Sequence, residues 1–265
     1  MLSVKFIRSL FVHILIFEVS SRSLYVSWAK VLEDDMLLSE NSGRTISSNR
    51  NGNHLRAGLV NPLSRWRYGI VPYEISSGYN HTDIEVIKDV FKIFHNESCI
   101  RFRQRNDRDD SWIAIKENFP RCFSYVGKIG GEQTLSLRMG ECVNQRIILH
   151  ELMHTLGFYG EHNSHDRDKY IHVFRDHIIE GEESWIEWIA NPEDSSHFGY
   201  GYDFDSIMHY PSYAFSKDGH DTIVPKDPSV DKTKLGTTSY LSEKDILKLR
   251  AMYRDECEKR YQICV

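Results

Sequence analysis

The run His150-Glu151-Leu152-Met153-His154, with Gly157 three residues further on, constrains this chain more than any other feature. It lies at the end of a stretch from Val143 to Leu156 whose apolar content predicts a helix. Gly157 is suited to stop that helix, because glycine enters the positive-φ region without steric cost. Residues four apart on a helix sit about 40° apart around its axis, so both imidazoles face one way. Two neutral imidazoles can grip one Zn²⁺ at about 2.0–2.1 Å. Glu151, beside them, is placed to take a proton from a water that the metal acidifies. The five residues alone also fit a polar helix face with two unrelated histidines. The apolar helix and the glycine turn favour the metal site.

The rest of the chain divides by texture. Lys5 and Arg8, the apolar stretch Leu10–Phe17 and then Ser20, Ser21 and Ser23 follow the order of a secretory signal peptide, assigned to residues 1–21. Residues 22–56 read as a propeptide, because Ser39–Asn53 is rich in Ser, Asn, Gly and Arg with almost nothing apolar. Residues 57–265 form the main domain. Gly69–Ile75 reads as a strand, with Pro72 suggesting an edge or early position. Ile84, Ile87, Phe91 and Phe94 mark an amphipathic helix capped by Thr82 or Asp83. Cys99–Phe102 and Trp112–Ile115 are short strands, and Gln133–Met139 alternates like a half-exposed one. A last helix spans about Glu243–Tyr253, with Ser242 as its N-cap and Ile246, Leu249 and Met252 facing inward. Some 80 loop-rich residues precede it. This order implies an α+β fold.

The formal charge of −5 argues against a nucleic-acid partner, and no apolar run approaches the length of a membrane span. In a secreted chain, four of the five cysteines (Cys99, Cys122, Cys142, Cys257 and Cys264) can pair, and spacing alone does not choose the pairs. The tripeptides at Asn80 and Asn96 are acceptor sites for N-glycans.

The segment HELMHTLGFYGEH at 150–162 resembles the signature of the astacin family of secreted zinc endopeptidases, within the metzincin group. CFSYVGKIGGEQTLSL at 122–137 looks like that family's cleft-edge region, and SIMHY at 206–210 like its Met-turn. The resemblance implies a two-lobed metzincin-type domain. Its N-terminal lobe would hold a twisted, mostly parallel sheet with helices, and its C-terminal lobe would be loop-rich. It implies Zn²⁺ held by His150 and His154, Glu151 as the base assisting attack of a zinc-held water on a peptide bond, Met208 beneath the metal and Tyr210 as an additional ligand and stabiliser. It pairs Cys99 with Cys257 and Cys122 with Cys142, leaving Cys264 over. It makes the partner a protein or peptide bound extended along the edge at Gln133–Met139. Asp35 would block the metal in the zymogen, and Ala57 would become the new N-terminus, with Glu161 as its carboxylate partner.

One departure matters. Where the family carries its third imidazole, this chain has Gly160, and Ser164 stands where the family usually has arginine. Catalytic zinc normally has three protein ligands and water, so the reading is an endopeptidase weakened by one missing ligand. His162 is two residues on and would need the loop to refold to reach the metal. The alternative reading is an inactive binding module of the same fold. His165, His172, His177, His197 and His220 read as surface residues, His209 as a structural hydrogen-bonding residue, and Trp185 and Trp188 as packing.

Overall fold

The computed structural model describes residues 36–37 and 58–263. The signal peptide, most of the propeptide, Asp35, Ala57 and Cys264 lie outside the described residues. Two short strands, β1 (Met36–Leu37) and β2 (Gly58–Leu59), precede the main sheet. That sheet is built from β3 (Ile70–Ile75), β4 (Arg101–Gln104), β5 (Ser111–Lys116) and β7 (Gly131–Ser136), in the order β4-β3-β5-β7. Every pairing in it is parallel. The two-residue strand β6 (Ser124–Tyr125) lies just before β7 in the chain and pairs with β1.

Parallel neighbours need crossovers, and α1 (His81–Glu97) supplies the one between β3 and β4. Its apolar stripe buries Ile87, Val90, Phe91 and Phe94, and Phe91 stacks on Phe102 of β4 with centroids 4.4 Å apart. The cap is Asn80, upstream of Thr82 and Asp83, its side chain accepting from the Asp83 N–H. Pro72 is not on an edge: β3 runs between β4 and β5. It is tolerated because pairing with β5 begins only at Tyr73, while the Tyr73 carbonyl bonds toward the β4 side. Backbone groups alternate sides along a strand, so the Pro72 nitrogen faces the β5 side one residue before that ladder starts.

The helix α2 (Gln145–Thr155) runs from its N-cap Asn144, and every residue from Ile147 to Thr155 is buried. Gly157 ends it at φ +106. The C-terminal carbonyls do not go unpaired. Trp66 donates its indole N–H to the Thr155 carbonyl (2.9 Å), Tyr253 its hydroxyl to that of Leu156 (3.0 Å), and Gly127 its N–H to that of His154 (2.8 Å). The second half is loop-rich, as its composition implied, with β8 (Ile171–Val173), α3 (Glu183–Glu187), β9 (Ser195–Ser196) and β10 (Ile223–Pro225) as short anchors. Two apolar clusters result. One joins the sheet, α1, α2 and the last helices, and the other gathers Ile171, Ile186, Tyr202, Tyr210, Phe215 and Ile223. The helix α4 (Glu243–Met252) starts at Ser242 in a capping box with Asp245. A further helix, α5 (Arg254–Ile263), follows it; no apolar periodicity announced it. Among the described residues no helix is long and apolar enough to cross a membrane.

The two disulfides are Cys99–Cys257 and Cys122–Cys142. They close separations of 158 and 20 residues. In the chain-entropy account these correspond to about 5 and about 3 kcal/mol. Removing Cys99 and Cys257 together (both to Ser) is therefore expected to lower denaturant stability more than removing Cys122 and Cys142. Equal or reversed losses would show that local packing, not loop closure, sets their contribution.

Candidate active site

On α2, His150 and His154 turn toward each other: their Nε2 atoms are 3.1 Å apart and the rings are nearly perpendicular. Each ring is fixed from behind. His150 Nδ1 lies 2.8 Å from the Ile207 carbonyl, and His154 Nδ1 lies 2.7 Å from that of Phe158. A carbonyl only accepts, so in both neutral rings the proton sits on Nδ1 and the Nε2 lone pairs converge. Two lone pairs at that distance repel unless a cation lies between them. A tetrahedral zinc with bonds of about 2.0–2.1 Å spaces its donor atoms by about 3.3 Å. The pair therefore fits zinc, and the carbonyl partners are the second layer that orients ligating imidazoles.

Glu151, 1% exposed, and His150 line a cleft of about 240 Å³ together with Arg146, Ile147, Tyr210 and Tyr213. The structure thus brings Glu151, His150 and Tyr210 to one cavity, with the His154 nitrogen against that of His150. Behind them the Met-turn is held by Asp245 of α4. Its carboxylate accepts from Ser206 Oγ (2.6 Å), the Ile207 N–H (2.9 Å) and the Ser242 N–H (3.0 Å). Burial pushes the Asp245 carboxyl up to about 6. Met208 is buried in the main core. His209 has the structural role expected of it, with Nδ1 donating to the Tyr210 carbonyl and Nε2 accepting from the Tyr202 hydroxyl, both at 2.7 Å.

β6 packs against α2. Ser124 Oγ and Thr155 Oγ1 are 2.8 Å apart, which ties that strand to α2. The β7 strand is the edge of the four-stranded sheet, yet its end is closed by Phe123, whose N–H and carbonyl both bond Ser136. Its side chains are more buried than the alternation implied, with Gln133, Leu135 and Ser136 inside. The strand added to β6 is β1, parallel to it, with Met36 opposite Ser124 and Leu37 opposite Tyr125.

Glu161 accepts from the Lys248 ammonium (2.7 Å) and from the Asp203 N–H (2.8 Å), all buried. Its carboxylate, assigned by resemblance to a terminal ammonium, thus already carries an internal cation. His197 is not a surface residue. It is fully buried, with Nε2 3.0 Å from Asp166 and Nδ1 3.7 Å from Glu161. His172 and His220 are exposed, and His165 and His177 half-buried. Trp188 packs edge-to-face on Tyr159 at 5.1 Å, and Trp185 on the second cluster. Lys248, Asp245 and Tyr202 carried no motif. For Asp245 a signal existed: it stands three residues after Ser242, the spacing of a capping box.

This fold and histidine pair define a metalloproteinase-type domain. Residues 58–254 match the family model for Astacin, a peptidase family. The chain belongs to the astacin family of zinc metalloproteinases. It is 38% identical over 198 residues to zinc metalloproteinase nas-8 of Steinernema carpocapsae, covering 75% of this chain and 46% of that protein. It is 37% identical to zinc metalloproteinase nas-14 of Caenorhabditis elegans, covering 85% of this chain and 43% of that one. The chain thus spans about half the length of the curated relatives it matches. Among solved structures it resembles high choriolytic enzyme 1, a hatching enzyme zinc-protease of the medaka Oryzias latipes. That match has a TM-score of 0.65 and 32% identity, and covers 72% of this chain and 92% of the other. Myroilysin, at TM-score 0.51 and 15% identity, shares the fold.

The buried pair gives a stability test. Removing one partner of a buried ion pair leaves an uncompensated charge and costs about 3–5 kcal/mol. Lys248→Met is expected to fall in that range by denaturant unfolding, and Lys248→Met with Glu161→Gln to recover part of it. Strictly additive losses would mean that the two side chains are not coupled.

Proposed function

We propose that this chain is a secreted zinc-dependent endopeptidase, made as a zymogen and acting on protein or peptide segments bound in extended form. The observation that carries the reading is the convergence of two Nε2 lone pairs at 3.1 Å, with both Nδ1 atoms committed to carbonyls. His150 and His154 would hold the zinc. Gly160 stands where the family's third imidazole would be. Zinc, when bound, supplies Lewis acidity to the carbonyl and acidifies the attacking water. The chain's own groups do the rest. Glu151 receives the proton of the attacking water and passes it to the leaving amine. The Tyr210 hydroxyl, in the same cleft, donates to the oxygen on which charge develops. Ser124–Tyr125 offers main-chain groups to an extended segment. The two disulfides suit an oxidising compartment.

The experiment is peptide hydrolysis by the protein cleaved after Arg56, with and without a chelator. Glu151→Gln is expected to lower kcat by about 10²–10⁴-fold, the usual worth of a positioned base, while leaving the zinc content unchanged. Tyr210→Phe is expected to lower kcat by a smaller factor. A processed protein that keeps zinc and cleaves nothing would be a binding module instead.

Latency belongs to the same reading. Met36 and Leu37 pair with Ser124 and Tyr125, and Asp35 immediately precedes them in sequence, with a carboxylate suited to zinc. Asp35→Ala is expected to raise hydrolysis by the unprocessed chain or lower its stability. No change in either would leave steric cover as the only role of residues 22–56.

A further inference from the structure

Away from the cleft, a second group of side chains gathers the donor atoms that a metal needs. Among the described residues, His177, Asp218 and His220 are the only three His, Cys, Asp or Glu side chains whose ligand atoms all lie within 4.8 Å of one another. His177 Nδ1 is 2.8 Å from Asp218 Oδ2, and His220 Nδ1 is 3.3 Å from Asp218 Oδ1. The two imidazoles stack, with centroids 4.8 Å apart and planes at 20°. Donors on a tetrahedral zinc are spaced by about 3.3 Å, so each imidazole stands near that distance from the carboxylate. Two neutral imidazoles and a carboxylate also match zinc in kind, and together they present one negative charge to the cation. The same contacts serve as hydrogen bonds when the Nδ1 atoms are protonated, so protons and a cation compete for one set of donors.

The two segments that carry the group are paired on both sides of it. His177 closes the single turn Arg175–His177 that follows β8, while Asp218 and His220 lie 41 and 43 residues further on, just before β10. On one side β8 and β10 pair, with Val173 opposite Ile223. On the other, Ile178 bridges Ser216. There the Ile179 N–H donates to the Phe215 carbonyl at 2.9 Å, and the Lys217 N–H to the His177 carbonyl at 2.8 Å. The tip is fixed as well, by the Gly219 N–H on Ser216 Oγ (2.9 Å) and the His220 N–H on Asp218 Oδ1 (3.1 Å). The donors are thus in place without a metal, which lowers the ordering cost of binding one. The base of this loop reaches the cleft. Thr222 and Ile223 donate their N–H groups to the Ser212 carbonyl, and Pro211 and Tyr213 on either side of Ser212 line the cleft with His150 and Glu151.

We propose that His177, Asp218 and His220 form a second zinc site, separate from the His150–His154 pair, which clamps the 212–223 loop to the segment after β8. Asp218 and His220 are exposed, so the site exchanges metal with solvent and takes zinc less tightly than a buried site does. When filled, it braces from the far end the loop whose base places Tyr213 in the cleft wall.

The test uses the full chain carrying His150→Ala and His154→Ala, which removes the donors of the other site, with zinc as the probe. Equilibrium dialysis is expected to show one zinc still bound per chain, and added zinc to raise the unfolding temperature. In that background Asp218→Asn, His177→Gln and His220→Gln are each expected to weaken binding by more than the ~10–100-fold that follows loss of a partner one layer out. The natural chain, titrated in parallel, is expected to take up two zinc ions, the weaker one lost on the same three substitutions. Copper(II) in place of zinc gives a readout that leaves the group unaltered. Its electron paramagnetic resonance spectrum is expected to show splitting by two imidazole nitrogens. If zinc is retained at full affinity by all three variants, if no zinc beyond the His150–His154 site is taken up, or if the copper spectrum lacks nitrogen splitting, the group is a hydrogen-bonded surface cluster and the proposal is wrong. If the natural chain binds zinc only through His177, Asp218 and His220, this proposal stands and the endopeptidase reading falls.

Discussion

The bond between His150 Nδ1 and the carbonyl of Ile207 is the contact on which the site depends. It joins the helix that carries the histidines to the turn that carries Tyr210, across 57 residues of sequence. Ile207 can offer that carbonyl only because its own N–H is held by Asp245, at the start of α4. Asp245 in turn receives the Ser242 N–H in the capping box that begins the helix. One imidazole's tautomer is thus set by the N-terminus of a helix almost a hundred residues later. A buried carboxylate is a costly way to do this, and the rise of its pKa to about 6 records the cost. An apolar residue could fill the space, but it could not accept from two backbone N–H groups and a hydroxyl.

A second buried polar cluster ties the other side of the turn. Glu161, Lys248, His197 and Asp166 lie together where residues 160–167, the 195–203 loop and α4 meet. Such pairs seldom add stability over a well-packed apolar core, because both ions must be desolvated. What they supply here is position. Glu161 takes the Asp203 N–H and the Lys248 ammonium on one oxygen, while its own N–H bonds Met208. The residues on either side of Glu161, Gly160 and His162, are therefore held to the Met-turn as a unit.

The parts legible in the sequence were those in which local pattern and tertiary packing agree. α1 showed its apolar stripe, α2 its histidine pair and terminating glycine, and α4 its N-cap. The parallel sheet and both disulfides followed from the resemblance, not from spacing. Misreadings arose where a distant neighbour decides the outcome. Of the two positions that Pro72 allows, edge or early, the second holds, because the β5 ladder starts one residue later. His197 sits in a polar stretch and reads as exposed, yet Asp166 and Glu161 enclose it. α5 has no apolar period because the disulfide at Cys257 and the bonds of Glu256 and Arg260 to the Tyr68 backbone hold it instead. Lys248 reads as one more solvent-facing lysine on an amphipathic helix, since nothing local reports that Glu161 waits behind it.

Gly160 illustrates the same limit from the side of function. Read along the chain, a glycine where the resemblance expects a ligand is a deletion, since it offers no donor. Read in space, it is also a permission. The ring of His162 can lie against Tyr210 only if position 160 has no Cβ, because the two would be 2.4 Å apart. The converse holds as well: with any other residue at 160, the ring of His162 must move off Tyr210. The two residues therefore form one steric unit, in which a side chain at 160 and the present ring of His162 exclude each other.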